Sequence, residues 1–158
     1  MTLLKKWAAV ALMLSASTAM AHEYKVGELE IDHPWSRALP PVATVGVAYF
    51  DIDNQGEQDE VLLGAESPVA KTVEIHNHIN EDGVMKMRQI DELTIPAKGK
   101  QSLAPGGYHL MLMDLNKVPA AGEHFPLTLH FKQAGTVEVE VAVEAQDDDK
   151  KHDEHHHH

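Results

Sequence analysis

Three short stretches of this 158-residue chain carry side chains that could bind a metal ion: Thr72 to His78, Met85 to Met87, and Tyr108 to Met113. At the period of a β-strand, Val73 and Ile75 belong to a core set, which puts His76 and His78 on the opposite side. Met85 and Met87 share one side of the strand expected after the turn Glu81-Asp82-Gly83. In Tyr108-His109-Leu110-Met111-Leu112-Met113, the residues Tyr108, Leu110 and Leu112 face one way, and His109, Met111 and Met113 the other. A half-wet strand ordinarily places Thr, Lys or Glu at such positions. One methionine alone is usually core filler, and Met85 and Met113 are read that way. The conjunction of three segments is what points to a ligand set. Thioether sulfur is soft and neutral, a poor ligand for Mg²⁺, Ca²⁺ or Zn²⁺ and a good one for Cu(I), while imidazole accepts copper in either oxidation state. Two Met and two His surround one ion without adding charge, which favours Cu(I). A zinc site would call for Cys or carboxylate beside His.

Composition narrows the field further. There is no cysteine, hence no disulfide framework, no thiolate zinc site, no thiol nucleophile and no ordinary blue-copper centre. Lys plus Arg number 13 against 25 Asp plus Glu, a formal net charge of −12, which argues against a partner that must have its phosphates neutralised. His (12) and Met (7) stand out instead. In an oxidising compartment, methionine offers softness without forming disulfides.

The elements that must position these residues occupy the middle of the chain. Lys5 and Lys6, the apolar run Trp7 to Leu14 and the small-x-small triplet Ala19-Met20-Ala21 together predict a cleavable signal peptide over residues 1–21, too short to span a bilayer. The expectation is an exported, periplasmic chain whose mature form begins at His22. Residues 22–145 read as one domain of many short strands: Val45 to Phe50, the strand around Val73 and Ile75, Tyr108 to Asp114, Leu127 to Phe131 and Val137 to Val141, separated by turns such as Pro105-Gly106-Gly107. Alternation without a long amphipathic helix predicts an all-β sandwich or small barrel. Trp35 is expected to plug the sandwich and Arg37 to pair with an acid, with His33, His124 and His130 structural or solvated. From residue 146 to 158 the chain is polar throughout, an acidic and His-rich tail expected to be disordered, in which His152, His155, His156, His157 and His158 form a possible secondary metal site. Asp51 to Gly56 hints at a calcium loop, but Leu62 stands where a bidentate Glu is required.

The ordered series His76, ten residues, Met87, twenty-one residues, His109, one residue, Met111 resembles the copper-site signature of the periplasmic copper chaperones called PCu(A)C. The strings HPWSRALPP at His33 to Pro41, SPVA at Ser67 to Ala70, GVMKMR at Gly83 to Arg88 and PGGYHLMLM at Pro105 to Met113 fit as well. The resemblance covers about His22 to Ala145. It implies a single cupredoxin-like (Ig-like) β-sandwich carrying Cu(I) on His76, Met87, His109 and Met111. It further implies delivery towards the binuclear copper centre of cytochrome c oxidase subunit II, alongside a Sco-type copper protein. His78, two residues after His76, is an alternative ligand. The tail resembles C-terminal extensions of some members, for which a Cu(II) site is expected.

Three functional classes follow. A copper-transfer chaperone for oxidase assembly, not an enzyme, is the leading reading. The second is a general periplasmic copper buffer or resistance protein. The third is a small copper oxidoreductase using the amine and ring of His22, for which no partner His is identifiable from spacing. No Ser-His-Asp order and no phosphate-binding glycine loop is present.

Overall fold

Strict alternation builds the interior. In the strand His124–Phe131, Phe125, Leu127, Leu129 and Phe131 are buried; in Gly135–Glu144, Val139, Val141 and Val143 are buried. The computed structural model describes residues 23–146. The expected signal peptide, His22 and the tail histidines His152 and His155 to His158 lie outside the described residues. Eleven strands follow in order: β1 (Glu23–Val26), β2 (Leu29–Arg37), β3 (Val45–Asn54), β4 (Glu60–Glu66), β5 (Ala70–Glu81), β6 (Val84–Ile90), β7 (Leu93–Ile95), β8 (Lys100–Leu103), β9 (His109–Leu115), β10 (His124–Phe131) and β11 (Gly135–Glu144). There is no helix among the described residues, so the all-β expectation holds.

Seven strands close a hydrogen-bonded circuit, β2-β11-β10-β4-β5-β9-β3, which returns to β2 through a β2–β3 pairing. The sandwich is therefore also a barrel, and closure removes sheet edges that would otherwise need protection. Among the described strand pairings, the β11–β2 contact, Ala142 to Glu144 against Trp35 to Arg37, is the parallel one. β1, β6, β7 and β8 attach to β2, β5, β4 and β3. The core enclosed by the circuit includes Ile31, Phe50, Ile52, Leu62, Ile95, Leu110, Leu112, Leu127, Val139 and Val141.

A bulge in β2 corrects one expectation. The register with β3 shifts between Asp32 and Trp35, and His33 takes a φ of 48°. An extra residue reverses which side chains face inward: Leu29 and Ile31 are buried before the bulge, Pro34 and Ser36 after it. Trp35 thus sits on the outer face, its ring 4.7 Å from that of Tyr49. Arg37, expected to seek an acid, lies over Trp35 with its guanidinium carbon 5.8 Å from the ring centre, a cation–π contact. Tyr49 is itself buried, which raises its hydroxyl pKa above the ordinary 10.0.

Candidate metal site

The β5–β6 hairpin is set by its two-residue tip, Asp82 and Gly83, both with positive φ (54° and 81°). That geometry matches strand twist and suits Asp-Gly. The Gly83 N–H donates to Asn80 Oδ1 at 2.8 Å. Lys86 and Arg88 donate to the two oxygens of Glu81 at 2.7 and 2.6 Å, and these hydrogen bonds, Lys86 first, hold the Glu81 carboxyl below its usual range. With the tip fixed, every pair is fixed: Met85 stands opposite Asn80, Met87 opposite His78 and Gln89 opposite His76.

On its other side β5 pairs with β9, where His76 stands opposite His109 and Glu74 opposite Met111. Val73 meets Leu112 and Ile75 meets Leu110 on the core side. The outer face of β6, β5 and β9 therefore carries Met87, His78, His76, His109, Glu74 and Met111 in successive rows. All four expected ligands, and the alternative His78, lie on one face of three adjacent strands. Met85 and Met87 are exposed, at 57% and 52%, so Met85 is not the core filler expected of it. Met113, opposite Thr72, is half-buried on the same outer face rather than in the core.

The imidazoles are oriented by their neighbours. His109 is buried, at 2% exposure, and its Nδ1–H donates to the Gly107 carbonyl at 3.0 Å. That bond fixes the tautomer and leaves the Nε2 lone pair for a ligand, the arrangement in which metal-binding histidines are commonly held. The same carbonyl accepts the backbone N–H of His78 at 3.4 Å, so one turn residue ties two of the histidine-bearing strands. Burial pushes the His109 pKa below its ordinary 6.5; the Gly107 bond opposes the shift, and His78 and His76 add to it. A neutral ring is the form that binds metal.

His76 donates Nε2–H to Glu74 at 2.8 Å, so that its remaining ring nitrogen is Nδ1. That Nδ1 is buried without a hydrogen-bond partner, and so is Nδ1 of His78. The rings of His76 and His78 lie 5.9 and 5.1 Å from the ring of His109. Two orphaned buried nitrogens beside two thioether-bearing positions are what a soft, nitrogen-tolerant cation would satisfy. Glu74 and Gly107 were not singled out by the sequence reading. Glu74 was findable, since it lies two residues before His76 and so shares its face. Elsewhere Glu23, Glu30 and Asp32 bring carboxylates together, but Lys25 lies 3.5 Å from Glu23 and 3.8 Å from Glu30, already supplying the balancing charge.

Known proteins share this fold. The family model described as "Putative lipoprotein LpqE-like" matches residues 29–143. A curated relative, "Putative lipoprotein Lxx21020" of Leifsonia xyli subsp. xyli (strain CTCB07), is 31% identical over 117 residues, 73% of this chain and 69% of its own length. Among solved structures, the copper-bound PCuAC domain from PmoF2 is 32% identical with a TM-score of 0.69, covering 78% of this chain and 98% of that one. The Cu(I) form of DR1885 from Deinococcus radiodurans is 29% identical with a TM-score of 0.60, covering 82% and 85%.

Proposed function

From the premise that the chain belongs to the LpqE-like family and shares the fold of PCuAC domains, we propose that it is an exported copper-transfer protein and not an enzyme. Its cargo is Cu(I), held by His76, Met87, His109 and Met111. Its destination is the binuclear copper centre of cytochrome c oxidase subunit II, reached alongside a Sco-type copper protein. The observation that carries this reading is the buried, unpartnered Nδ1 of His76 on the same sheet face as His109, Met87 and Met111. Softness of the thioethers selects the monovalent ion.

The unequal setting of the two thioethers suits hand-over. Met111 lies on β9, bonded on both sides by β5 and β3. Met87 lies on β6, which among the described residues pairs with β5 alone and is exposed along nearly its whole length. An incoming ligand thus displaces Met87 first, and copper stays bound through His109 and Met111 until the exchange is complete.

An anaerobic Cu(I) titration against a coloured competing chelator tests the site. One tightly held Cu(I) is expected, with affinity lower by on the order of a hundredfold, about 2.8 kcal/mol, in Met87→Leu/Met111→Leu. Equal affinity in both proteins contradicts the ligand set. Transfer to a soluble oxidase subunit II fragment then separates a chaperone from a copper buffer: the chaperone loads the fragment without releasing copper to the chelator, and the buffer does not.

A further inference from the structure

We propose that His78 completes a second ligand set within the same site, in which His76, His78 and His109 hold Cu(II). This rests on the reading of the face as a copper site and adds to it an oxidation state and a residue outside the four-ligand series.

Three independent features single out His78. Its Nδ1 is buried with no hydrogen-bond partner, as that of His76 is. Its ring lies nearer to His109 than the His76 ring does, 5.1 against 5.9 Å. The hairpin register also sets it directly opposite Met87, where His76 faces Gln89 instead. A histidine with a merely structural role would have its second nitrogen satisfied, because an orphaned buried polar atom costs about 1–3 kcal/mol. His78 and His76 carry that cost side by side.

The chemistry of the two sets differs. Cu(I) is soft and is served by two imidazoles and two thioethers. Cu(II) is harder, prefers nitrogen and oxygen to thioether, and gains from a third imidazole. His76 and His109 each spend one ring nitrogen on a fixed acceptor, Glu74 and the Gly107 carbonyl, and keep the other for an ion. The half-buried Glu74 carboxylate, beside His76, supplies the negative charge that a divalent ion needs and a monovalent one does not. Going from one set to the other exchanges Met87 and Met111 for His78. The three rings must also turn towards a common ion, since their nitrogens do not already lie within 4.8 Å of one another. The exposure of β6 leaves room for Met87 to withdraw. The site accordingly accepts copper in the form found in an oxidising compartment as well as the reduced form.

The test uses the full chain with His22, His152 and His155 to His158 replaced by alanine, so that no imidazole outside residues 23–146 competes. Cu(II) is added from a glycine-buffered stock and followed by electron paramagnetic resonance, with the anaerobic Cu(I) titration run on the same samples. The parent is expected to bind one Cu(II) with three nitrogen couplings. His78→Gln and His78→Asn should lose Cu(II) affinity by about tenfold or more, the loss that even an outer partner of a ligand produces, and show two couplings while Cu(I) affinity stays within about threefold of the parent. His76→Gln should weaken both ions. Unchanged Cu(II) affinity and couplings in both His78 variants overturns the second set and leaves the Cu(I) site standing. Equal losses of Cu(I) and Cu(II) in the His78 variants also overturn it, since His78 would then belong to the Cu(I) set. Absence of tight Cu(I) binding in the parent overturns the copper reading itself.

Discussion

Glu60 and His76 are both polar side chains drawn at least partly out of solvent, at different places in the barrel, and they are treated in opposite ways. Glu60 is buried and its carboxylate is fully used: Oε1 accepts the N–H groups of Val61 and Gln133, and Oε2 that of Ala134, all at 2.9 Å. Asn54, near it, is buried too and spends both ends of its amide, donating to Gln58 and Ile95 carbonyls and accepting from the Gly56 N–H. These groups close backbone turns and are finished without any ligand. At the other cluster, Nδ1 of His76 and Nδ1 of His78 are buried and unpartnered. Two such atoms cost about 2–6 kcal/mol together, a large share of the roughly 5–15 kcal/mol by which a domain is stable. A structural role does not repay that cost; the copper ion proposed for this face would. Satisfied polar groups mark where the fold is held, and the unsatisfied ones mark the face proposed to bind copper.

Substitutions should separate the two clusters cleanly. The largest effect belongs to the ligand face: with free Cu(I) at about 100 times its dissociation constant, the parent gains about 2.7 kcal/mol against unfolding. Met87→Leu/Met111→Leu should gain little at the same copper concentration, while its metal-free stability changes by less than about 1.5 kcal/mol. Chemical denaturation with and without copper measures both. Next is Glu60→Gln, which puts an N–H donor among three backbone donors and should lower stability by about 2 kcal/mol. Its Cu(I) affinity should stay that of the parent; a parallel loss of copper would erase the distinction between the clusters.

Smaller effects sharpen the comparison further. Glu74→Ala frees the His76 ring and should weaken Cu(I) binding about tenfold without a matching loss of stability, as read by competition titration beside a melting curve. The smallest effect is pH dependence from His109. Its folded pKa is depressed, mainly by burial, so the unfolded chain takes up the proton more readily. Stability from this group is fully present above the ordinary value of 6.5 and declines as pH falls below it. Denaturation midpoints at pH 7.5 and 5.5 should differ less in His109→Gln than in the parent.

Much of this was legible before the structure. The alternation in Tyr108 to Met113 placed Leu110 and Leu112 inside and His109 and Met111 outside, because a strand with one buried face leaves no other arrangement. The turn at Asp82-Gly83 was legible as well, and its two-residue tip also implies that residue 78 stands opposite 87. Trp35 was misplaced because a bulge inverts the side-chain parity after His33, and a bulge leaves little trace in composition. Met85 was misread for a related reason: nothing in its own strand says that β6 pairs with one neighbour only. Closure of the barrel through β2 and β3 is a long-range pairing, invisible to local pattern. The orphaned nitrogens could not be inferred at all, since they depend on which partners the packing withholds.

The most direct test of the central claim is X-ray absorption at the copper edge on the chain loaded anaerobically with one Cu(I), with His22 and the tail histidines replaced by alanine. The account predicts a mixed first shell of two nitrogen and two sulfur donors, with the sulfur contribution lost in Met87→Leu/Met111→Leu. A shell of nitrogen and oxygen alone, or sulfur scattering that survives in that variant, contradicts it.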